Sequence, residues 1–428
     1  MKNIKIQNLK GTTDYLPNQQ ILRDKIVNTL KKIFEMYGYM PLKTPILNYY
    51  DLLSYKYEDD AEILKETYKL KDQGNRNLGL RYDLTVPFCK VISLNKDLKM
   101  PFRRYEIGKV FRNGPVKSGR MREFYQCDID IVGTDSRLIE VEQMLMVKTA
   151  FDKLGIDIVI KWNNRKLMSG LIKEFNIDNS YVDKVINIID HMEKISRKEM
   201  ILEFNKININ EDVATKLLDI FNLKLEDYNK IYENTNNCLI KEGLNEINEI
   251  NNMIIKCDLQ DATLFSPSLA RGLGIYTGIV FEFFDKENRL NCSLGGGGRY
   301  NKIITNFIDN GVEYPACGLS FGLEPIFVIL NEKINKLNSI DCYIIPMSTE
   351  IESLKVATKL RNSGIKTLIE MNNRKIKKSF EYANKENIKY VIVIGENELK
   401  EEKYTLKNME TGEQKLLAID EIIETIKK

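Results

Sequence analysis

The stretch that decides the fold is residues 101–133, PFRRYEIGKVFRNGPVKSGRMREFYQCDIDIVG. It reads as strand, long turn, strand. The first strand runs from Arg104 to Arg112. The turn, Asn113 to Arg122, is punctuated by Gly, Pro and Ser and carries Lys117, Arg120 and Arg122. In the second strand Cys127, Ile129 and Ile131 fall on one face and Gln126, Asp128 and Asp130 on the other, because successive strand side chains point to opposite sides. One wall is therefore polar, with guanidiniums beside it. Arginine offers a planar fork to phosphate, and the Gln126–Asp130 pair can receive a small polar cation. A solvent-exposed amphipathic hairpin has the same pattern, so on this stretch alone both readings stand.

The whole chain narrows the choice. Its 428 residues correspond to about three domains by length. A formal charge of +3 is nearly balanced, so any nucleic-acid contact has to come from local patches. The seven cysteines form no CxxC pair and are expected to be reduced thiols of a cytoplasmic protein. One histidine, His191, makes a zinc site and a Ser-His-Asp mechanism poor readings. The N-terminus lacks an apolar signal core and no run is long enough for a membrane span, so neither secretion nor a membrane is expected.

Outward from the hairpin, residues 8–17 are a turn-rich entry to a helix ending at Gly38, followed by the extended YMPLKTPIL with Pro41 and Pro45. Residues 66–88 read as a strand pair, with Arg81, Asp83 and Thr85 on one face of the second strand. Glu140 to Leu154 reads as a helix. Between about 160 and 256 helical periodicity dominates, with Val182, Val185, Ile186, Ile189 and Met192 marking one face. Leu269 to Glu282 runs as a turn into a strand. Leu294 to Tyr300, LGGGGRY, is a glycine-rich strand turn whose backbone is suited to close approach by a ligand. Ala316 to Phe327 reads as a strand entering a helix. Past a polar linker, strands alternate with helices, including a basic helix at 373–387 and a hairpin at Thr411-Gly412. That pattern predicts a small α/β domain with a parallel sheet.

Several of these segments carry a resemblance. The FR, the basic loop ending GRxRxF and the Q…D strand of 101–133 resemble motif 2 of class II aminoacyl-tRNA synthetases, and most nearly that of the histidyl-tRNA synthetase family. The GTTDYLP opening and the helix-GY-xxTP unit resemble the start and motif 1 of that family. Arg271 to Gly278, RGLGIYTG, resembles its histidine-specific R-G-L-D-Y-Y-T-G, and Ala316 to Phe327 resembles motif 3. The resemblance covers nearly the whole chain, from Gly11 onward.

It implies an α+β fold, a class II antiparallel-sheet catalytic core with a helical insertion, plus a C-terminal α/β domain like the anticodon-binding domain of that class. The expected boundaries are 1–158 and 259–332 for the core, 159–258 for the insertion and 339–428 for the last domain. It implies ATP with Mg2+, L-histidine and tRNA as reaction partners, no protein-bound zinc, and a homodimer built on motif 1. It assigns the catalytic cations to Arg112 and Arg271. Histidine is assigned to Asp83, Thr85, Gln126, Asp130, Ile275 and Tyr276. ATP and the tRNA end fall to Lys117, Arg120, Arg122 and Glu123, and tRNA to the basic patch Arg374, Lys375, Lys377 and Lys378.

Four positions depart from the family pattern. Pro325 stands at the motif 3 arginine, Gly274 at an aspartate, Ile275 at a tyrosine and Asn301 at the aspartate after GGRY. The implied activity is histidine–tRNA ligation. The alternative is a synthetase-like chain that does not charge tRNA, of the kind seen in the regulatory subunit of ATP phosphoribosyltransferase. That subunit usually lacks the C-terminal domain. A third reading is a paralogue that senses uncharged tRNA or activates histidine for another acceptor.

Overall fold

The alternation in residues 101–133 folds as its period demands. The computed structural model describes residues 5–55, 62–116, 119–192, 195–270, 275–332 and 340–427. The chain divides into two units, Met1–Asp14 with Arg23–Glu332, and Tyr15–Leu22 with Lys333–Lys428. The strands of the first unit are β1 (Met40–Pro41), β2 (Leu47–Tyr49), β3 (Lys69–Lys71), β4 (Asn77–Leu80), β5 (Phe102–Phe111), β6 (Glu123–Val132), β7 (Ile158–Asn164), β8 (Thr263–Phe265), β9 (Ile279–Asp285), β10 (Gly295–Arg299) and β11 (Ala316–Gly322). Eight of them make one sheet in the order β1-β5-β6-β11-β10-β9-β7-β8, and β2-β4-β3 make a small second sheet. The run from β5 to β7 is antiparallel throughout.

Register gives the large sheet two distinct faces. Ile107, Cys127, Phe321, Gly295, Phe283 and Ile160 stand opposite one another in one row. Phe283 and Phe321 from that row meet Phe34 of the helix Pro17–Met36 and Phe151 of the helix Leu138–Leu154, with ring centroids 5.2–5.8 Å apart. This is the core face, and each such fully buried aromatic contributes roughly 1.5–3 kcal/mol by leaving water. A Cβ at Gly295 would lie 2.4 Å from the Phe283 ring, and one at Gly297 would lie 2.0 Å from the Gly318 carbonyl oxygen. These two glycines of β10 are therefore required by packing and by the neighbouring strand. The expected glycine-rich strand turn is in fact a central strand of the sheet.

Two more expectations change. β4 ends at Leu80 and a helix begins at Thr85, so Arg81, Asp83 and Thr85 do not share a strand face. Asp83 Oδ1 instead accepts from the Val86 amide at 3.0 Å, and Pro87 sits in the first helical turn, where no backbone N–H is needed. Residues 158–164 pair with β9 as part of the large sheet, so the helical segment starts at Arg165 rather than at 159 and runs to Lys256. Five of its helices begin on Asn164, Asp178, Ser196, Asn210 and Asn237, whose side chains accept from first-turn amides. Val182, Val185, Ile186 and Ile189 form its buried stripe, and His191 is exposed.

The second unit has β12 (Cys342–Pro346), β13 (Thr367–Ile369), β14 (Tyr390–Ile394), β15 (Tyr404–Asn408) and β16 (Gln414–Leu417), in the order β13-β12-β14-β15-β16. The first three run parallel, and β15–β16 form the expected hairpin. Cys342 and Ile344 pack with the helices Glu350–Asn362 and Ile419–Lys427, while Tyr343 and Ile345 pack with the helix Ile376–Lys385. Both faces are covered, which is why these strands read as near-continuous apolar runs.

Candidate functional site

The opposite face of the large sheet is polar. One row across it is Arg104, Asp130, Gly318, Gly298 and Val280. The next is Glu106, Asp128, Ser320, Gly296 and Glu282, and Gln126 follows between Gly108 and Gly322. With glycine at these positions β10 and β11 present a trough of backbone beside a ridge of acids on β6, and the side chains of Asp130 and Tyr276 lie over Gly318 and Gly298. Gly318 is forced by this arrangement, since a Cβ there would lie 2.1 Å from Asp130 Oδ1. One end is closed by Phe88, Cys89 and Ile92 of the helix Thr85–Leu94, packed with Val132, Tyr300, Ile304 and Ala316.

Two fully buried arginines organise the ridge. Arg81 Nη1 donates to Glu106 Oε1 at 2.8 Å and to the Thr44 carbonyl at 2.8 Å, and Thr44 Oγ1 donates to Glu106 Oε2 at 2.9 Å. Arg104 lies 2.6 Å from Asp130 Oδ2, donates to the Leu84 carbonyl at 3.2 Å and sits 4.4 Å over the Phe88 ring. The Tyr300 hydroxyl donates to Asp130 Oδ1. Four buried carboxyls, Asp83, Glu106, Asp128 and Asp130, thus face two buried guanidiniums. Burial pushes Asp128 up to about 7 and Asp130 up to about 6; Arg104 pulls both down, and the Asp83 charge pushes both up. Gln126 Oε1, Asp128 Oδ1, Asp130 Oδ2, Arg104 Nε and Arg122 Nε are buried without a hydrogen-bond partner among the described residues, although Asp130 Oδ2 lies within ion-pair distance of Arg104. Such groups are rare in a finished core and point to a polar ligand that brings both donors and acceptors.

The turn of 113–122 is held by the N-terminal entry. The amides of Arg122 and Glu123 donate to the Gly11 carbonyl at 2.8 and 3.3 Å. Gly11 has φ +88, and a Cβ there would lie 2.8 Å from Arg122 Cγ, so only glycine fits. This gives the GTTDYLP opening a physical role. Arg112 donates Nε to the Tyr82 carbonyl at 3.1 Å and lies 5.1 Å over the Phe124 ring. It has no carboxylate partner within salt-bridge distance among the described residues.

The other site residues fall as follows. Asp83 is buried and Thr85 half-buried at the helix start beside the ridge. Tyr276 stands over β10, its ring 3.1 Å from where a Gly298 Cβ would be, and Ile275 is half-buried before it. Arg120 is exposed, and Glu123 pairs with Lys109 at 2.5 Å. Lys117, Arg271 and Gly274 lie outside the described residues. Asn301 Oδ1 accepts the Ala316 amide at 3.2 Å, so it supplies an acceptor where the family has an aspartate. Pro325 is buried in the first turn of the helix Leu323–Asn331 and brings no cation there. In the second unit Lys375, Lys377 and Lys378 are exposed, while Arg374 is drawn onto Glu370 at 2.9 Å and over the Tyr382 ring at 4.6 Å. Reasoning from sequence missed Arg104, Glu106, Ser320 and Tyr300. The alternation of Arg104, Glu106 and Gly108 with Tyr105 and Ile107 was the available signal for the first two.

A family model described as Histidyl-tRNA synthetase matches residues 11–326, and one described as Anticodon binding domain matches residues 341–428. Histidine–tRNA ligase 1 of Bacillus cereus is 44% identical over 416 residues, spanning 96% of this chain and 97% of that protein. A crystal structure of histidyl-tRNA synthetase from Nostoc sp. is similar with TM-score 0.86 at 28% identity, covering 99% of each chain. A crystal structure of an ATP phosphoribosyltransferase regulatory subunit/histidyl-tRNA synthetase from Bacillus halodurans C gives TM-score 0.75 at 19% identity over 92% of this chain and 99% of that one, a likeness of fold.

Proposed function

The chain belongs to the histidyl-tRNA synthetase family, and we propose that the acidic trough over β6, β10 and β11 is where it binds L-histidine. Its activity is ATP-dependent histidine–tRNA ligation. The histidine carboxylate attacks the α-phosphorus of ATP, pyrophosphate leaves, and the acyl group passes from the adenylate to the terminal ribose hydroxyl of tRNA. The protein's part in such a displacement is positioning and charge neutralisation. The observation that carries the site assignment is the imbalance of charge on the ridge, four buried carboxyls against two buried guanidiniums, which suits a substrate bearing an ammonium and an imidazole.

Within the trough, Asp83 and Thr85 hold the α-ammonium, and Gln126, Asp130, Ile275 and Tyr276 line the ring pocket. Arg112 holds the α-phosphate and the attacking carboxylate, with Arg271 as the second cation. Arg120, Arg122, Lys117 and Glu123 serve ATP and the tRNA end. Arg112 suits its role because its guanidinium is oriented by Tyr82 and Phe124 yet unneutralised by any described carboxylate. Among the described residues no three His, Cys, Asp or Glu side chains are grouped to hold a metal ion. Mg2+ brought in with ATP would neutralise the pyrophosphate oxygens. In the second unit Lys375, Lys377 and Lys378, with Arg374, meet tRNA phosphates.

Exposed Met36, Met40, Ile46, Leu47 and Tyr49 around motif 1 support a homodimer through that segment. Family membership and seven free cysteines support a cytoplasmic location. No described helix is long and apolar enough to cross a membrane. The match of residues 341–428 to an anticodon-binding model favours the ligase over the regulatory-subunit reading. The test is histidine-dependent ATP–pyrophosphate exchange followed by tRNA charging. Exchange is expected with histidine, and none at millimolar histidine overturns the reading. Arg112→Ala is expected to abolish it.

A further inference from the structure

Residues 276–278 carry Tyr276, assigned above to the histidine pocket, and the inference rests on that assignment. Their backbone is held from two directions. On the catalytic side the Thr277 amide donates to the Arg299 carbonyl at 2.8 Å, and Thr277 Oγ1 accepts the Asn301 amide at 3.1 Å. Arg299 is itself gripped by Glu140, Nε to Oε1 at 2.7 Å and Nη2 to Oε2 at 2.8 Å. On the other side the partner is the helical insertion. The Arg165 amide, at the start of its first helix, donates to the Gly278 carbonyl at 2.9 Å. Asp190 Oδ1, also from the insertion, accepts the Ala270 amide at 3.3 Å. Ala270 and Gly278 thus both bond to the insertion.

The first and last helices of the insertion form one stiff stem. A Cβ at Gly243 would lie 2.6 Å from the Leu167 amide nitrogen, and one at Gly170 would lie 2.9 Å from the Ile240 nitrogen. The helices Arg165–Glu174 and Cys238–Lys256 therefore pack backbone against backbone. Glu246, 7% exposed on the last helix, joins this stem to the core. Its Oε1 accepts from Arg137 Nη2 at 2.6 Å and from Lys166 Nζ at 2.9 Å, and its Oε2 accepts from Asn164 Nδ2 at 2.6 Å. Arg137 immediately precedes the helix that carries Glu140. A Cβ at Gly278 would lie 3.4 Å from Arg299 Cδ and 3.5 Å from Glu246 Oε2, so the 276–278 backbone touches both carriers of charge.

We propose that Glu246 is a positioning residue for histidine binding. It seats the insertion on Arg137 and Asn164, and through the Arg165 amide and Gly278 it fixes where Tyr276 stands over the trough. A glutamine at 246 would keep the shape, but its amide nitrogen would face a donor whichever way it turned. Seating of the insertion and binding of histidine are then coupled, and such coupling is reciprocal. What unseats the insertion weakens histidine, and histidine steadies the insertion.

The experiment compares the full-length wild type, Glu246→Gln, Asp190→Ala and Met200→Ala at a temperature where each is folded. Met200 is buried on the helix Arg197–Lys206 elsewhere in the insertion, so its truncation weakens the insertion and leaves Glu246 in place. ATP–pyrophosphate exchange is read at varied histidine and at varied ATP. For Glu246→Gln, KM for histidine is expected to rise about tenfold, with KM for ATP within about twofold of wild type. Asp190→Ala is expected to raise KM for histidine about threefold, and Met200→Ala to leave it within about twofold. Hydrogen exchange is then read with and without histidine. Histidine is expected to slow the helices Arg165–Glu174 and Cys238–Lys256 in the wild type and not in Glu246→Gln. The proposal is overturned if Glu246→Gln leaves KM for histidine within about twofold of wild type or raises KM for ATP equally. It is also overturned if Met200→Ala raises KM for histidine as much as Glu246→Gln does, or if histidine slows neither helix in the wild type. Should Glu246→Gln not fold, an unchanged KM for histidine in Asp190→Ala overturns it. A wild type without pyrophosphate exchange is a failure of the ligase reading instead.

Discussion

Asp128 of the catalytic sheet and Glu370 of the C-terminal unit are both buried carboxylates, and they are treated in opposite ways. Glu370 follows β13 and gathers donors. It accepts from the Asn372 amide at 2.6 Å, Arg374 at 2.9 Å, Ser379 at 3.3 Å and the Tyr343 hydroxyl. Burial pushes it up, but these donors, led by Tyr343, outweigh burial and hold it below the ordinary carboxylate range. Asp128 has Ser320 and an unpartnered oxygen, and burial wins, pushing it up to about 7. A carboxylate that fastens a fold is saturated with donors before any ligand arrives. Asp128 is left short of them, at a cost in stability.

The sharpest way to break that contrast is Arg104→Met. Removing the counter-charge of Asp130 and Asp128 is expected to cost about 3–5 kcal/mol, read by urea unfolding of the full chain. A loss below about 1 kcal/mol would mean the ridge is not held by this cation. Glu370→Gln comes next, at about 2 kcal/mol. Its effect is expected in hydrogen exchange of β12, β13 and the helix Ile376–Lys385, with histidine activation within about twofold of wild type. If activation collapses, Glu370 does more than fasten its own unit. The smallest effect belongs to Lys375, Lys377 and Lys378 changed together to Ala. KM for tRNA in charging is expected to rise a few-fold, and the salt dependence to flatten. An unchanged salt slope would remove the RNA role from that patch. Adding Arg374→Ala should also destabilise the second unit, because that guanidinium is bound to Glu370.

Much of this was legible in the chain. The β5–β6 hairpin and its alternating faces follow from periodicity, the strand-helix join at Ala316–Phe327 from the resemblance to motif 3, and the C-terminal sheet from the α/β alternation after 340. The segment 81–88 misled because its apolar and polar residues alternate through Thr85. The stronger signal was Asp83 and Thr85 ahead of Pro87, which starts a helix. The glycines of β10 were read as room for a ligand, whereas Gly295 and Gly297 leave room for Phe283 and for β11.

The sequence by itself determined the alternating faces of β5 and β6 and, through its motifs, the family. Those depend on local period and spacing, which a linear chain carries. Only the tertiary structure decided which charges are spent. Arg104, Asp128 and Asp130 look alike as alternating polar residues of two strands. Register set Arg104 beside Asp130, the chain's return at Tyr300 engaged the other Asp130 oxygen, and Asp128 was left with an oxygen unanswered. Partnership between buried charges depends on distances across the sheet, and no spacing along the chain records them.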